Sequence, residues 1–387
     1  MEKRLNFSIE DYKERIAKLR ALMKEENLEA VLISRQENVH YLTGFHTTGY
    51  WSFQALIVPL DGEPQMVVRH FEALNADAYS FLNSYRSYQD DEDGLAILCE
   101  ELARMGLAHS KIGMDKGNGF FFGIMNYERM CSLLPHMRIT DCAFLLERIR
   151  SIKTEQELVY IRQAAALVSQ AMKDGIAAVK EGAGEAEVAA EVYRSLLING
   201  SDFIANPPFV SSGWKTGLGH STWGRKKIER GDNVYFELVA CVNRYHVPLM
   251  RTVHVGEPCE LGKKLAETSL AAVDKALEVI KPGVTAQEVD AAARGEITRR
   301  GMARYFRHRT GYSVGVAYPP GWPEGGLMSL RPGNTELLRE NMVLHLPLVL
   351  LGDGIAGAGF SESVLVTKNG CEILTKVPRE YADRQEV

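Results

Sequence analysis

A carboxylate inside an apolar strand costs free energy unless it is paired, hydrogen-bonded or put to use. Val234-Tyr-Phe-Glu-Leu-Val239 places Glu237 in such a run, and His345 interrupts Met342-Val-Leu-His-Leu346 in the same way. Glu362 stands in Gly359-Phe-Ser-Glu-Ser-Val364, and His220 in Gly219-His-Ser-Thr-Trp223. Carboxylates suit the holding of a cation or the taking of a proton, and an imidazole exchanges protons near neutral pH. The alternative for Glu237 is an edge strand facing water, because Tyr235, Glu237 and Val239 alternate onto one face. For His220 the alternative is a loop histidine without function. Further titratable and donor groups stand at His246, Arg251, His308, Arg309 and Tyr312. In company these residues predict a polar pocket cut into a sheet, although an arginine such as Arg251 equally serves a structural carboxylate.

Such a pocket needs a frame. Tyr12, Ile16, Leu19, Leu22 and Met23 recur at helical spacing between Ile9 and Asn27. Ala30 to Ile33, Ala55 to Leu60 and Met66 to Val68 read as strands, with Asp61-Gly62 supplying a hairpin turn between the last two. Leu95 to Met105 is helical in pattern, Lys111 to Met114 strand-like, and the segment around Phe144 strand or helix. At Thr154-Glu-Gln-Glu157 a capping box opens a new helix carrying Leu158, Ile161, Ala165, Val168 and Met172. The junction therefore falls near residue 150, dividing the chain into 1–150 and 151–387. Within the second part, the segment from Lys180 to Ala190 repeats as that from Lys281 to Ala291, each leading to a helix that ends in glycine, Gly200 or Gly301. Two related αα-then-β halves follow from this self-similarity, with a site where they meet.

Composition narrows the function classes. Apolar residues make up 45% of the 387 and charged ones 25%, as in folded globular proteins. A formal charge of −5, from 45 Lys+Arg against 50 Asp+Glu, argues against nucleic acid as a partner. Six scattered cysteines without a Cys-x-x-Cys pair indicate neither a zinc knot nor a disulfide framework. No apolar run reaches membrane-span or signal-peptide length, so the expectation is a cytoplasmic protein without a membrane partner.

Taken in chain order, His220, the strand with Glu237, Arg251-Thr252, Gly311-x-x-x-Gly315, Met342-Val343, and Glu362 followed by Leu365-Val-Thr resemble the creatinase/aminopeptidase-P/prolidase family, the M24 pita-bread hydrolases. Tyr41-Leu-Thr-Gly44 is similar to the matching segment of that family's N-terminal domain. The resemblance implies an α/β N-terminal domain, an α+β pita-bread domain with pseudo-twofold αα-β halves, and a homodimer. It also implies two metal ions held by two Asp, one His and two Glu. Carried over position by position, these ligands fall on Glu237, Pro248, Tyr312, Pro347 and Glu362. Two carboxylates do not balance two hard cations, so the expectation is the metal-free branch, with no metal and no cofactor.

Within that branch, creatinase implies an arginine on the substrate carboxylate, and here that position aligns with Pro323. Gly311-Tyr-Ser-Val-Gly-Val-Ala-Tyr-Pro-Pro320 with Trp322 and Glu324, Arg244-Tyr-His246, Leu344-His345 and Ser361-Glu362 are similar to the ectoine-hydrolase branch. Gly321-Trp-Pro-Glu-Gly-Gly326 departs from it. The expected activity is metal-independent hydrolysis of a C–N bond in a small cyclic amidine or zwitterion, as from ectoine to N-acetyl-diaminobutyrate. Glu237 and Glu362 hold the substrate's cation, and Glu237 attacks the amidine carbon or positions the water that does. His220 and His345 carry protons. Tyr50, Trp51, Trp223 and Trp322 line the pocket, the tryptophans serving equally well as core. Arg69, Arg251, His308 and Arg309 are candidates for the substrate carboxylate, with His246 and Tyr312 as further contacts. Rival readings are a creatinase-like amidinohydrolase, an Xaa-Pro peptidase-like protein, and an inactive homologue that binds peptides.

Overall fold

The computed structural model describes residues 2–115 and 122–384, and the chain divides into two compact units, Met1–Ile149 and Arg150–Val387. In the first unit, Ser8 caps α1 (Ile9–Glu25) by accepting the Asp11 amide, and Asp11 returns to the Ser8 amide at 2.9 Å. Its stripe of Tyr12, Ile16, Leu19 and Met23 is buried. Strands β1 (Ala30–Ile33), β2 (Ala55–Pro59), β3 (Gln65–Arg69), β4 (Arg86–Tyr88), β5 (Lys111–Met114) and β6 (Arg138–Asp141) form a mixed sheet in the order β4-β3-β2-β1-β5-β6 among the described residues. Helices α2 (Gln36–Thr43), α3 (Ala73–Tyr79), α4 (Gly94–Arg104), α5 (Ile124–Leu133) and α6 (Leu145–Arg150) accompany it, so the segment after Phe144 is helical.

The second unit starts at the Thr154–Glu157 capping box, which opens α7 (Glu155–Ala177). Then come α8 (Glu185–Ile198) and the antiparallel strands β7 (Phe209–Ser212), β8 (Asn233–Val242) and β9 (Tyr245–His254). The pattern recurs with α9 (Glu260–Val279), α10 (Ala286–Arg299), β10 (Gly311–Ser313), β11 (Ser329–Leu330) and β12 (Val343–His345). The hairpin β13 (Leu348–Gly352) and β14 (Ala356–Phe360) follows, then β15 (Ser363–Thr367) and β16 (Gly370–Ile373).

The sequence repeat has a physical cause. Glu187 and Glu288 each return to the amide three residues earlier, at 2.9 Å on Gly184 and 2.7 Å on Thr285, so both halves open their second helix alike. Gly200 and Gly301, just past those helices, both take a left-handed φ (96° and 74°), a conformation that glycine adopts without a Cβ penalty. Leu265, Val273 and Ala276 of α9 pack with Leu344, Leu346, Leu350 and Phe360 in the core of the second half. Among the described residues no helix is long and apolar enough to cross a membrane.

Candidate active site

Strand β8 lies between β7 and β9, with Glu237 in register with Phe209 on one side and Met250 on the other. The edge-strand alternative is thereby removed: Glu237 is only 8% exposed on a central strand. It faces a cavity of about 740 Å³ whose walls also include His220, Tyr235, His308, Arg309, Tyr312 and Trp322. The Tyr235 hydroxyl donates to Glu237 Oε2 at 2.8 Å. Burial pushes the Glu237 carboxyl up to about 7, against the smaller downward pull of that hydrogen bond. At neutral pH such a group both accepts and returns protons.

The loop carrying His220 is anchored by a buried acid. Glu185 accepts from the Ser212 amide (2.8 Å), the Ser212 hydroxyl (2.9 Å) and the Gly224 amide (2.9 Å), and pairs with Lys215 at 2.5 Å. His220 itself is exposed, has a left-handed φ of 54°, and its ring lies 5.8 Å from that of Phe209. Opposite in sequence, Glu324 ties the Pro-rich loop to β10: it accepts the Ser313 hydroxyl at 2.8 Å and pairs with Lys153 and Arg150. Trp322 on that loop donates Nε1–H to the Tyr312 hydroxyl oxygen at 2.9 Å.

His308 and Arg309 differ in what they offer. The Arg309 carbonyl accepts at 2.6 Å from His308 Nδ1, which therefore carries the proton, and burial takes the imidazole down to about 4. A neutral ring with its lone pair on Nε2 presents an acceptor to this wall. Arg309 is half-buried, with its guanidinium 4.5 Å from the Tyr312 ring centre and Nη1 3.1 Å from Ser329 Oγ. Among the described lining residues it is the arginine not paired with a carboxylate. Arg307 on the same wall is paired with Asp353.

Within the second unit, other expected residues do not line this cavity. Arg251 is spent inside the protein: Nε donates to the Pro378 carbonyl (2.9 Å), Nη1 to Met250 and Ser361 carbonyls (2.8 and 2.6 Å), and Nη2 to Glu362 (2.8 Å) and the Val377 carbonyl (2.6 Å). Glu362 is correspondingly fixed, accepting also from the Thr375 hydroxyl and lying 3.3 Å from Arg379 Nε. It does not line the cavity. His246 is fully buried, with Nδ1 2.8 Å from the Arg244 carbonyl and Nε2 accepting the Ala205 amide at 3.1 Å. His345 is buried behind Tyr312, and Trp223 packs edge-on to Tyr193 at 5.9 Å. Tyr50, Trp51 and Arg69 belong to the first unit, where Arg69 pairs with Asp90 at 2.6 Å, Tyr50 and Trp51 meet edge-on at 5.8 Å, and Trp51 is 72% exposed rather than core.

Sequence reasoning missed Tyr235 as a partner of Glu237, Ser361 as a partner of His345, and Thr375 altogether. Tyr235 carried a signal, its position two residues away on the same strand face. Ser361 carried one in its place beside Glu362, and Thr375 carried none.

Two family signatures cover the chain. That of the Creatinase/Prolidase N-terminal domain matches residues 15–152, and that of Metallopeptidase family M24 matches residues 159–368. The chain belongs to metallopeptidase family M24. It is 28% identical to the ectoine hydrolase of Halomonas elongata, covering 97% of this chain and 98% of that protein. It is 30% identical to the Xaa-Pro dipeptidase of Pyrococcus horikoshii, over 95% and 98%. The prolidase of Thermococcus sibiricus superposes with a TM-score of 0.87 at 26% identity, over 97% of this chain and all of that one. This M24 hydrolase thus shares the pita-bread fold, while the names of these relatives divide between an ectoine hydrolase and Xaa-Pro dipeptidases.

The residues at the family's ligand positions do not fit two metal ions. Pro248 stands opposite Val239 on the strand beside Glu237, and neither it nor Pro347 has a side-chain donor. Tyr312 Oη is taken up by Trp322 and His345, and both Glu362 oxygens by Arg251 and Thr375. Among the described residues, no group of three or more His, Cys, Asp or Glu is arranged to hold a metal.

Proposed function

We propose that this M24 hydrolase opens a small cyclic amidine by metal-independent hydrolysis of a C–N bond, with ectoine as the type substrate. One observation carries the reading: a buried carboxyl raised to about 7 stands on a roomy cavity, and the positions that the family resemblance assigns to further metal donors hold proline and tyrosine. An amidinium ion entering the cavity holds Glu237 in its charged form, and Trp322 and Phe209 offer aromatic faces to the cation. Glu237 takes a proton from water as its oxygen bonds to the amidinium carbon. The C–N bond then breaks with its electron pair on nitrogen, Glu237 returns the proton to that nitrogen, and the hydroxyl proton passes to the departing amine as C=O forms. His220, exposed on the cavity wall, exchanges protons with solvent. Arg309 balances the substrate's carboxylate. The likeness to the Halomonas elongata ectoine hydrolase supports this reading.

The test is incubation of the purified protein, with and without EDTA, with ectoine, other cyclic amidines, creatine and Xaa-Pro dipeptides. Ring opening that survives the chelator is expected. Cobalt- or manganese-dependent release of proline would overturn the proposal.

A further inference from the structure

We infer that Tyr312 is a catalytic residue which donates its hydroxyl hydrogen into the cavity, and that the buried pair His345–Ser361 fixes that direction. The inference rests on the cyclic-amidine reading for its kinetic consequence, but on hydrogen-bond accounting alone for the geometry.

Four groups form one chain leading inward from the cavity wall. Trp322 Nε1 donates to Tyr312 Oη at 2.9 Å; His345 Nδ1 lies 3.0 Å from the same oxygen. His345 Nε2 lies 2.8 Å from Ser361 Oγ, and Ser361 Oγ accepts the Met250 amide at 2.7 Å. His345 and Ser361 are both fully buried, and burial keeps the His345 imidazole neutral, so it carries a single N–H. The question is which nitrogen bears it.

Ser361 decides. Its oxygen already receives the Met250 amide, and among the described residues the acceptor its own hydrogen can reach is His345 Nε2. If Nε2 instead carried the proton, the Ser361 hydroxyl would be a buried donor without an acceptor, at a cost of about 1–3 kcal/mol. Nε2 is therefore the acceptor and Nδ1–H donates to Tyr312 Oη. That oxygen now accepts two N–H groups, from Trp322 and His345, and its own hydrogen has no place to go in the wall. It points into the cavity that Glu237 also faces.

Burial and the nearby Glu237 hold the Tyr312 hydroxyl well above its ordinary phenol value, so the group stays protonated and serves as a hydrogen-bond donor rather than as an acid that ionises. Its partner is the oxygen that water brings to the amidinium carbon. Tyr312 steadies that oxygen as its proton leaves and C=O forms, and the phenol O–H bond is not broken. His345, expected from the sequence to carry protons, is instead a positioning residue.

Two measurements test this. Neutron diffraction from deuterium-exchanged crystals should show deuterium on His345 Nδ1, none on Nε2, and the Tyr312 deuterium directed into the cavity. Deuterium on Nε2 overturns the inference whatever the substrate. In kinetics with a cyclic amidine that the wild type opens, Tyr312→Phe should lower kcat by about 10²–10³, as for removal of one oxyanion donor, with KM changed less than about threefold. A kcat within threefold of wild type overturns the catalytic role. Ser361→Ala frees His345 to take the other tautomer and should lower kcat by about tenfold while Tyr312 is untouched; an unchanged kcat in that variant likewise counts against the chain. Failure of the wild type to open any amidine removes the proposed function, and the neutron map still decides where the Tyr312 hydrogen lies.

Discussion

Glu237 and Glu362 are both buried carboxylates at family ligand positions, yet the protein treats them differently. Glu362 is surrounded by Arg251, Arg379 and Thr375, and although burial raises its carboxyl, all three neighbours oppose that shift. Glu237 has the Tyr235 hydroxyl on one oxygen, and burial carries it to about 7. The difference teaches that a buried acid is structural when cations compensate it inside the protein, and available for chemistry when its compensation is left to arrive with a ligand.

The largest effect that would break this comparison is kinetic. Glu237→Gln should lower turnover of a cyclic amidine by at least about a hundredfold, the usual worth of a general base, in steady-state assays. Its stability should follow the opposite course. Because the Glu237 carboxyl is raised from 4.5 to about 7, the folded state holds a proton that the unfolded state releases. Wild-type stability therefore falls as pH rises from 4.5 to 7, by on the order of 3 kcal/mol at about 1.4 kcal/mol per unit. Urea unfolding at pH 5 and pH 8 should find that fall in the wild type and not in Glu237→Gln.

For Glu362 the expected loss is structural. Glu362→Ala strips Arg251 of its counter-charge and should cost about 3–5 kcal/mol of unfolding free energy, while turnover per folded molecule stays within a few-fold. Equal loss of turnover in the two variants would erase the distinction. A sharper measure is the pH dependence of kcat/KM, which reports the free enzyme. It should rise about tenfold per unit up to pH 7 and level off above it, and a midpoint near 4.5 would place the active carboxyl elsewhere. The smallest effect concerns the far end of the substrate: Arg309→Gln should raise KM about tenfold, or about 1.4 kcal/mol, with kcat nearly unchanged. Isothermal titration with a non-hydrolysed carboxylate analogue checks it independently.

Much of the frame was legible because its signals are local. The Thr154 cap, the stripe of α1, the Asp61-Gly62 hairpin and the repeated segments that start at Lys180 and Lys281 are each carried by residues close together in the chain. Glu237 was legible for a different reason, since an acid in an apolar run announces a cost that something must offset. The fates of the arginines were not. Arg251 reads in sequence either as a substrate anchor or as the partner of a structural carboxylate, and only the fold brings it Glu362 and the carbonyls of Ser361, Val377 and Pro378, more than a hundred residues away. Similarly, His345 looks like a second His220 until Ser361 and Tyr312 are found on its two nitrogens.

The amino-acid sequence by itself determined the two-part division and its internal repeat, because capping, propensity and periodicity are properties of short stretches, and its likeness to a known family pointed to the pita-bread fold. Tertiary structure alone decided which charges remain unspent and which polar groups share the buried chain behind Tyr312. Burial and hydrogen-bond satisfaction depend on every neighbour in space, and the neighbours of Glu237, Tyr312 and Arg251 come from strands and loops far apart along the chain.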